Sequence, residues 1–156
     1  TMGRNCGYVA LMAGIAGGAE VISIPEYEIT PEEVASELHA AHQRGKRHAM
    51  VVVAEGAKYN AQALIAHFEA NQQETGFSLR YSILGHVQRG AAPTGADRLL
   101  GSRLGAGAVQ ALVRGERGVL VGLHGSTVGT TPLADIVGRQ KAVDRDLLNL
   151  ARIMSI

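Results

Sequence analysis

The chain has 156 residues, of which 46% are hydrophobic, and its 15 lysines and arginines nearly balance 14 aspartates and glutamates to give a net charge of +1. This length suits one ordinary domain or a large part of a bigger protein. The charge balance excludes a global field that would attract nucleic acid or an acidic membrane, so any anion site must be local. One cysteine excludes an intramolecular disulfide within the sequence. Neither a membrane span nor a secretory signal is visible, and we expect a cytoplasmic protein.

The first part of the chain alternates between helical and extended patterns. Small apolar residues from 6 to 16 predict a buried helix, and the β-branched stretch 21–24 predicts a buried parallel strand. Residues 30–33, with the sequence Thr-Pro-Glu-Glu, supply an N-cap, a proline at the first helical position and a capping box. The helix that they begin is expected to run to Gly45.

The same alternation continues in the next segment. The apolar run within residues 48–54 predicts a buried strand, Asn60 caps a helix that stops near Gly76, and residues 77–84 predict another strand. Three successive helix and strand pairs imply right-handed crossovers and a parallel sheet. The predicted fold class is therefore α/β, a three-layer Rossmann-like and mostly parallel sheet with helices on both faces.

The last third of the chain begins after a cluster of Gly, Pro and small residues at 89–95, which is the expected domain boundary. The patterns that follow predict a capped helix at residues 96–113, a strand at 118–123 and a Gly/Ser/Thr loop at 124–131. After them we expect a short helix at 132–141 and a final helix that is capped by Asp144 and runs to residue 154.

Polar side chains gather where the predicted strands end. Glu55 follows one strand, His86 and Arg89 follow another, and Met2-Gly3-Arg4 precedes the first helix. Each side chain taken singly has an ordinary explanation as a surface charge or a turn residue. Together they would face one crevice at the carboxyl edge of the sheet, where open α/β sheets bind ligands. Guanidinium forks, a carboxylate and a helix N-terminus suit a sugar phosphate.

A second basic cluster, Arg44-Gly45-Lys46-Arg47-His48, precedes its strand, and Gly17 to Glu20 lies at the end of another helix. Cations at a helix C-terminus are stabilising by themselves, so a solvated terminus explains this cluster. The alternative is a second anion site at the opposite edge of the sheet, as expected of a regulatory site.

Other candidates are weaker. His39 and His42 share a helix face without further ligands at metal spacing, so a solvated face is expected and no metal site is assigned. Cys6 lies in an apolar run and is expected to be a small buried residue. The loop that starts at His124 lacks the lysine of a phosphate-binding P-loop and is expected to be a turn.

Four motifs occur together in one order: Met2-Gly3-Arg4-Asn5-Cys6-Gly7-Tyr8, Ala16-Gly17-Gly18-Ala19-Glu20, Ala54-Glu55-Gly56 and Leu84-Gly85-His86-Val87-Gln88-Arg89-Gly90. With them the chain resembles bacterial ATP-dependent 6-phosphofructokinases. The resemblance covers essentially all residues and concerns the second, fructose 6-phosphate-binding half of that enzyme. It implies a phosphofructokinase fold for this chain.

The resemblance also implies roles for individual residues. Fructose 6-phosphate would be bound by Met2, Gly3, Arg4, Glu55, Arg80, His86 and Arg89. Arg80 would reach the site of a neighbouring subunit, since the family is a homotetramer. An effector site for ADP or phosphoenolpyruvate would be lined by Gly18, Glu20, Arg44, Lys46, Arg47 and His48.

The reaction implied by the resemblance is the glycolytic transfer of a phosphoryl group from ATP, with Mg²⁺, to fructose 6-phosphate. The Gly-rich ATP loop and the catalytic Thr-x-Asp-x-Asp segment of the family do not occur in this sequence, so no catalytic residue is assigned here. Residues 1–91 and 139–156 would form the substrate domain, and residues 92–138 would pack with a nucleotide domain. Two alternatives stay open, a diphosphate-dependent phosphofructokinase and a non-catalytic module that binds sugar phosphates or effectors.

Overall fold

The computed structural model describes residues 1–71, 75–140 and 142–154. The chain forms two compact units, the first made of Thr1–Arg89 and Ala142–Ile156, the second of Gly90–Lys141. No helix within the described ranges is long and apolar enough to cross a membrane.

The first unit is built on two parallel strands, β1 (Val21–Ser23) and β2 (Val51–Val53). Val21 lies opposite Val51 and Ser23 opposite Val53. The helices of this unit are α1, α2, α3 and α5, which span Tyr8–Gly17, Pro31–Gln43, Ala61–Ala70 and Arg145–Met154.

Side chains of the two strands alternate between two hydrophobic clusters, as the period of a β-strand requires. Val21 and Val53 point to the cluster formed by α2 and α3, which contains Leu38 and Phe68. Val52 points to the other cluster, which contains residues of α1 and α5. The prediction of a parallel sheet covered by helices on both faces is therefore confirmed.

The helix starts follow from local capping chemistry. Thr30 accepts the backbone N–H of Glu33, whose carboxylate accepts the backbone N–H of Thr30 in return, so the predicted capping box is present. Asn60 caps α3 by accepting the backbone N–H of Ala63 at 2.9 Å. Asp144 accepts the backbone N–H of Asp146 at 2.9 Å, at the start of the final helix.

The predicted strand at residues 77–84 is wrong. No strand is assigned there in the described residues, although the segment lies beside β2 across a cleft of about 670 Å³. Ile83 is 68% exposed and Leu84 is 46% exposed. An apolar run becomes a strand only when a neighbouring strand takes up its hydrogen bonds, and within the described ranges no such pairing joins this segment to β2.

The second unit consists of helix α4 (Gly95–Val113) and an antiparallel hairpin of β3 (Val119–His124) and β4 (Thr127–Pro132). Thr94 and Asp97 form the predicted capping box of α4. The prediction of a loop at residues 124–131 is wrong. Only Gly125 and Ser126 form a tight turn, and β4 begins directly after it and pairs with β3.

The predicted short helix at 132–141 is reduced to a 3-10 turn at Leu133–Asp135. Its expected end at Lys141 lies outside the described residues, as does the end of the chain at residues 155–156.

Candidate functional site

The segment from Thr1 to Gly3 runs along the end of β2 and is fixed there by backbone hydrogen bonds. The backbone nitrogen of Thr1 donates to the carbonyl of Val53 at 2.6 Å, and the N–H of Glu55 donates to the carbonyl of Thr1 at 2.8 Å. The N–H of Gly56 donates to the carbonyl of Gly3 at 3.1 Å. The structure thus places this segment and Glu55 together at the carboxyl edge of β2.

Close backbone contact explains the glycine after Glu55. A Cβ atom at Gly56 would lie 1.8 Å from the carbonyl oxygen of Arg4, so only glycine fits there. The N–H of Gly3 in turn donates to the carboxylate oxygen Oε1 of Glu55 at 3.4 Å. The backbone of the first residues and the side chain of Glu55 therefore form one surface, beside which the exposed Arg4 lies.

The 3-10 turn Gly85–Arg89 is joined to this edge by Gln88. The side-chain oxygen of Gln88 accepts the backbone N–H of Met2 at 2.6 Å. His86 and Arg89 lie on the same turn and are exposed. The sequence indicated His86 and Arg89 but not Gln88 as a site residue, and its position between them was the only signal that pointed to it.

One backbone donor at the N-terminus of α1, which was expected to help bind an anion, is taken by an anionic side chain of this chain. The N–H of Gly7, the N-cap residue of α1, donates to both carboxylate oxygens of Glu26, at 2.9 and 3.0 Å. Glu26 is 19 residues away in sequence, and no local motif indicated it. That N–H is therefore not available to an external phosphate.

Arg80 lies on the segment that faces β2 across the cleft. The same cleft is lined by Thr1 and by Arg47 and His48 of the second basic cluster. It therefore extends from Thr1, at the carboxyl edge of β2, to residues that precede this strand.

The second cluster lies at the amino edge of the same two strands, and Glu20 organises it. The side chain of Glu20 is 8% exposed and accepts Nζ of Lys46 at 3.3 Å. It also accepts the backbone N–H of Met50 at 2.5 Å. Burial raises the pKa of Glu20, but the hydrogen bonds from Met50 and Lys46 and from its own backbone lower it more, so the pKa lies below its usual range.

The other members of the second cluster are close in sequence to Glu20 or to Lys46. Gly18 ends α1 in the left-handed conformation at φ 68°, and Arg44 ends α2. Arg47 and His48 are exposed. Because β1 and β2 are parallel, this cluster and the one around Glu55 lie at opposite ends of the two strands.

The prediction for Cys6 has a clear outcome. Cys6 was expected to be buried, and it is exposed because it precedes the first turn of α1 instead of lying within the helix. Within the described part of the chain, no group of three or more His, Cys, Asp or Glu side chains could hold a metal ion. His39 is exposed and hydrogen-bonds Gln43 of its own helix.

The arrangement at the carboxyl edge offers bare backbone, one carboxylate and exposed cationic side chains within a short stretch of surface. Arginine forks suit phosphate oxygens, and a carboxylate accepts hydrogen bonds from sugar hydroxyls. This chemistry fits binding of a phosphorylated sugar.

Comparison with known proteins points in one direction. Residues 1–112 match the family described as Phosphofructokinase. The ATP-dependent 6-phosphofructokinase 1 of Thermus thermophilus is 47% identical over 99% of this chain and 48% of its own length. The ATP-dependent 6-phosphofructokinase of Clostridioides difficile is 43% identical over 99% of this chain and 47% of its own length.

A solved structure shares the fold. Phosphofructokinase from Saccharomyces cerevisiae aligns with a TM-score of 0.80 and 31% identity, covering 100% of this chain and 22% of that chain. The chain spans about half the length of the curated relatives that it matches.

Proposed function

This chain belongs to the phosphofructokinase family, and from that premise we propose that it is the sugar-phosphate-binding half of an ATP-dependent 6-phosphofructokinase. The complete enzyme would transfer the γ-phosphoryl group of ATP to the 1-hydroxyl of fructose 6-phosphate. The observation that carries the proposal is the carboxyl edge of β2, where the backbone of residues 1–3, the carboxylate of Glu55 and the turn held by Gln88 meet.

Each group at this edge has a role in the proposal. Arg4 and Arg89 would neutralise the phosphate of the substrate, because a guanidinium presents paired donors to phosphate oxygens. Glu55 would accept hydrogen bonds from hydroxyl groups of the sugar and so orient its ring. His86 would donate a further hydrogen bond, and the backbone of Met2 and Gly3 would allow close approach. All of these are binding roles.

The chemical step needs groups that the described residues do not provide. Phosphoryl transfer requires a nucleotide, Mg²⁺ and a positioning carboxylate together. The described part of the chain holds no cluster suited to Mg²⁺, so the ion would arrive with ATP on a nucleotide-binding half. The hairpin unit, Gly90–Lys141, would pack against that half. Because sugar phosphates are kept inside the cell, we place the protein in the cytoplasm.

The second cluster is proposed as a regulatory site for ADP or phosphoenolpyruvate. It supplies Lys46, Arg47 and His48 at the amino edge of the strands, away from Glu55. Arg80 would serve a neighbouring subunit of a homotetramer.

The test is to assay the protein as its gene encodes it. With fructose 6-phosphate we expect ADP to form from ATP, in proportion to the fructose 1,6-bisphosphate made, and no turnover with diphosphate. Turnover with diphosphate alone would replace this proposal with a diphosphate-dependent enzyme. Calorimetric binding of fructose 6-phosphate without turnover from either donor would instead show a non-catalytic module.

A further inference from the structure

Glu26 has no role in the proposed binding of the substrate, yet it makes the only described side-chain contact with the N–H that begins α1, among residues 1–71, 75–140 and 142–154. Helix α1 has no acidic residue in its first turn and no side chain of its own that caps it. Glu26 supplies both a hydrogen-bond acceptor and a negative charge at this end of the helix, where the helix dipole favours an anion.

Glu26 is itself held in a fixed turn. It follows Pro25 in the turn from Ile24 to Tyr27, which is closed by the N–H of Tyr27 donating to the carbonyl of Ile24 at 3.3 Å. Ile24 is 2% exposed, so this turn is anchored in the core at the end of β1. Proline fixes the backbone of the second residue of such a turn.

The side chains of Ile24 and Glu26 both lie close to the α-carbon of Gly7. A Cβ atom at Gly7 would lie 2.3 Å from Cβ of Ile24 and 2.8 Å from Oε2 of Glu26. The carboxylate therefore reaches the helix only because residue 7 has no side chain. Glu26 and Gly7 form a specific pair joining the end of β1 to the start of α1.

This pair is one of two attachments on either side of Arg4. On one side, the carbonyl of Gly3 accepts the N–H of Gly56 at 3.1 Å, which attaches the chain to the end of β2. On the other side, Gly7 is attached to Glu26. Only the exposed residues 4–6 lie between the two attachments. Releasing either one gives the segment that carries Arg4 more conformations to lose when a ligand binds.

We propose that Glu26 is a positioning residue for the sugar phosphate, acting through Gly7 on Arg4. This inference rests on the proposed function and adds to it a residue that does not touch the substrate. Glu26 works through its hydrogen bond to Gly7, so an amide oxygen in its place retains most of the effect. Its negative charge alone would oppose binding of an anionic ligand nearby, which separates a positioning role from a direct electrostatic one.

The experiment measures steady-state kinetics of the full-length protein for Glu26→Ala, Glu26→Gln and Arg4→Ala and for the double variant E26A/R4A. We expect E26A to raise the KM for fructose 6-phosphate about tenfold, since a charged hydrogen bond is lost. The kcat and the KM for ATP should change less than about twofold, because Glu26 acts only on binding of the sugar phosphate. E26Q should keep most of the affinity for fructose 6-phosphate. In the R4A background, E26A should have no further effect.

The matched control is Glu28→Gln, two residues away, whose exposed carboxylate pairs with Lys58 and which should leave the KM unchanged. If E26A is too unstable to assay, E26Q and Glu26→Asp decide the question, because only the longer amide keeps its oxygen within reach of Gly7. An unchanged KM in E26A, or independent effects of E26A and R4A, would overturn the positioning role alone. An inactive wild-type protein would overturn the proposed function and this inference together.

Discussion

The side-chain oxygen of Gln88 lies 2.6 Å from the backbone nitrogen of Met2, although 86 residues separate the two in sequence. This hydrogen bond joins the turn that carries His86 and Arg89 to the segment that carries Arg4. Two parts of the chain that are remote in sequence are thereby brought to the same end of β2.

Replacing Gln88 with Met should loosen that junction. The new side chain has a similar length but offers no good acceptor, so the N–H of Met2 loses its partner. We expect the KM for fructose 6-phosphate to rise by about fivefold to tenfold, because a net hydrogen bond is worth about 1 kcal/mol. Gln62→Met provides the control, since exposed Gln62 only reaches the hydroxyl of Tyr81 at 3.4 Å. Equal effects of the two variants would count against the junction.

Arg89→Ala should weaken binding of the sugar phosphate far more than binding of ATP. Loss of a guanidinium from a phosphate site removes a charged and potentially bidentate contact, and we expect the KM for fructose 6-phosphate to rise about a hundredfold. The KM for ATP should stay within about threefold in the same assay. Arg117→Ala, an exposed arginine of the hairpin unit, is the control. Comparable losses for both substrates would contradict the proposed role of Arg89.

Arg47→Ala tests the second cluster. Arg47 is exposed at the amino edge of the strands, on the opposite side from Glu55. We expect this variant to lose most of its response to ADP and phosphoenolpyruvate while keeping the same KM for fructose 6-phosphate in their absence. Activity is measured as a function of effector concentration. A response that matches the wild type would remove Arg47 from the proposed regulatory site.

Glu20 predicts a dependence of stability on pH. Because the pKa of Glu20 is lowered in the folded chain, its contribution is present above the pKa of an unfolded glutamate and is lost as the pH falls through the folded value. At pH 7 we expect Glu20→Gln to lower the free energy of unfolding by about 2 kcal/mol, as for a buried hydrogen bond to a charged group.

Denaturant unfolding of wild type and E20Q at a series of pH values measures this difference. The gap between the two should narrow on acidification below the ordinary range of glutamate, since a protonated glutamate resembles glutamine. Glu37→Gln, on an exposed position of α2, is the control and should show little difference at any pH. A gap that is constant from neutral to acidic pH would show that the charge of Glu20 does not matter.

The sequence was most informative where structure depends on neighbouring residues. Thr30 and Glu33, Asn60, and Thr94 with Asp97 predicted three helix starts because a cap is made within one turn of chain. The alternation of apolar stretches likewise predicted β1 and β2 and the helices on both faces of their sheet.

Prediction failed where structure depends on a distant partner. The apolar residues of 77–84 resemble a strand, but a strand also needs a neighbour whose backbone is in register. The glycine and serine after His124 were interpreted as part of a loop, whereas an antiparallel partner makes them a hairpin turn. Contacts between Glu26 and Gly7 and between Gln88 and Met2 join residues far apart in sequence, so no local pattern reveals them.

Strand β2 is only three residues long, and a residue of one of the two proposed sites lies at each of its ends. The backbone N–H of Met50, just before the strand, is bound by Glu20, and Glu55 follows just after it. A displacement of β2 along its own axis would therefore move backbone groups at both clusters at once. If an effector at one end shifts the strand, thermodynamic reciprocity requires the sugar phosphate to change the affinity for that effector by the same factor. Saturating the protein with either ligand while titrating the other would measure a single coupling constant.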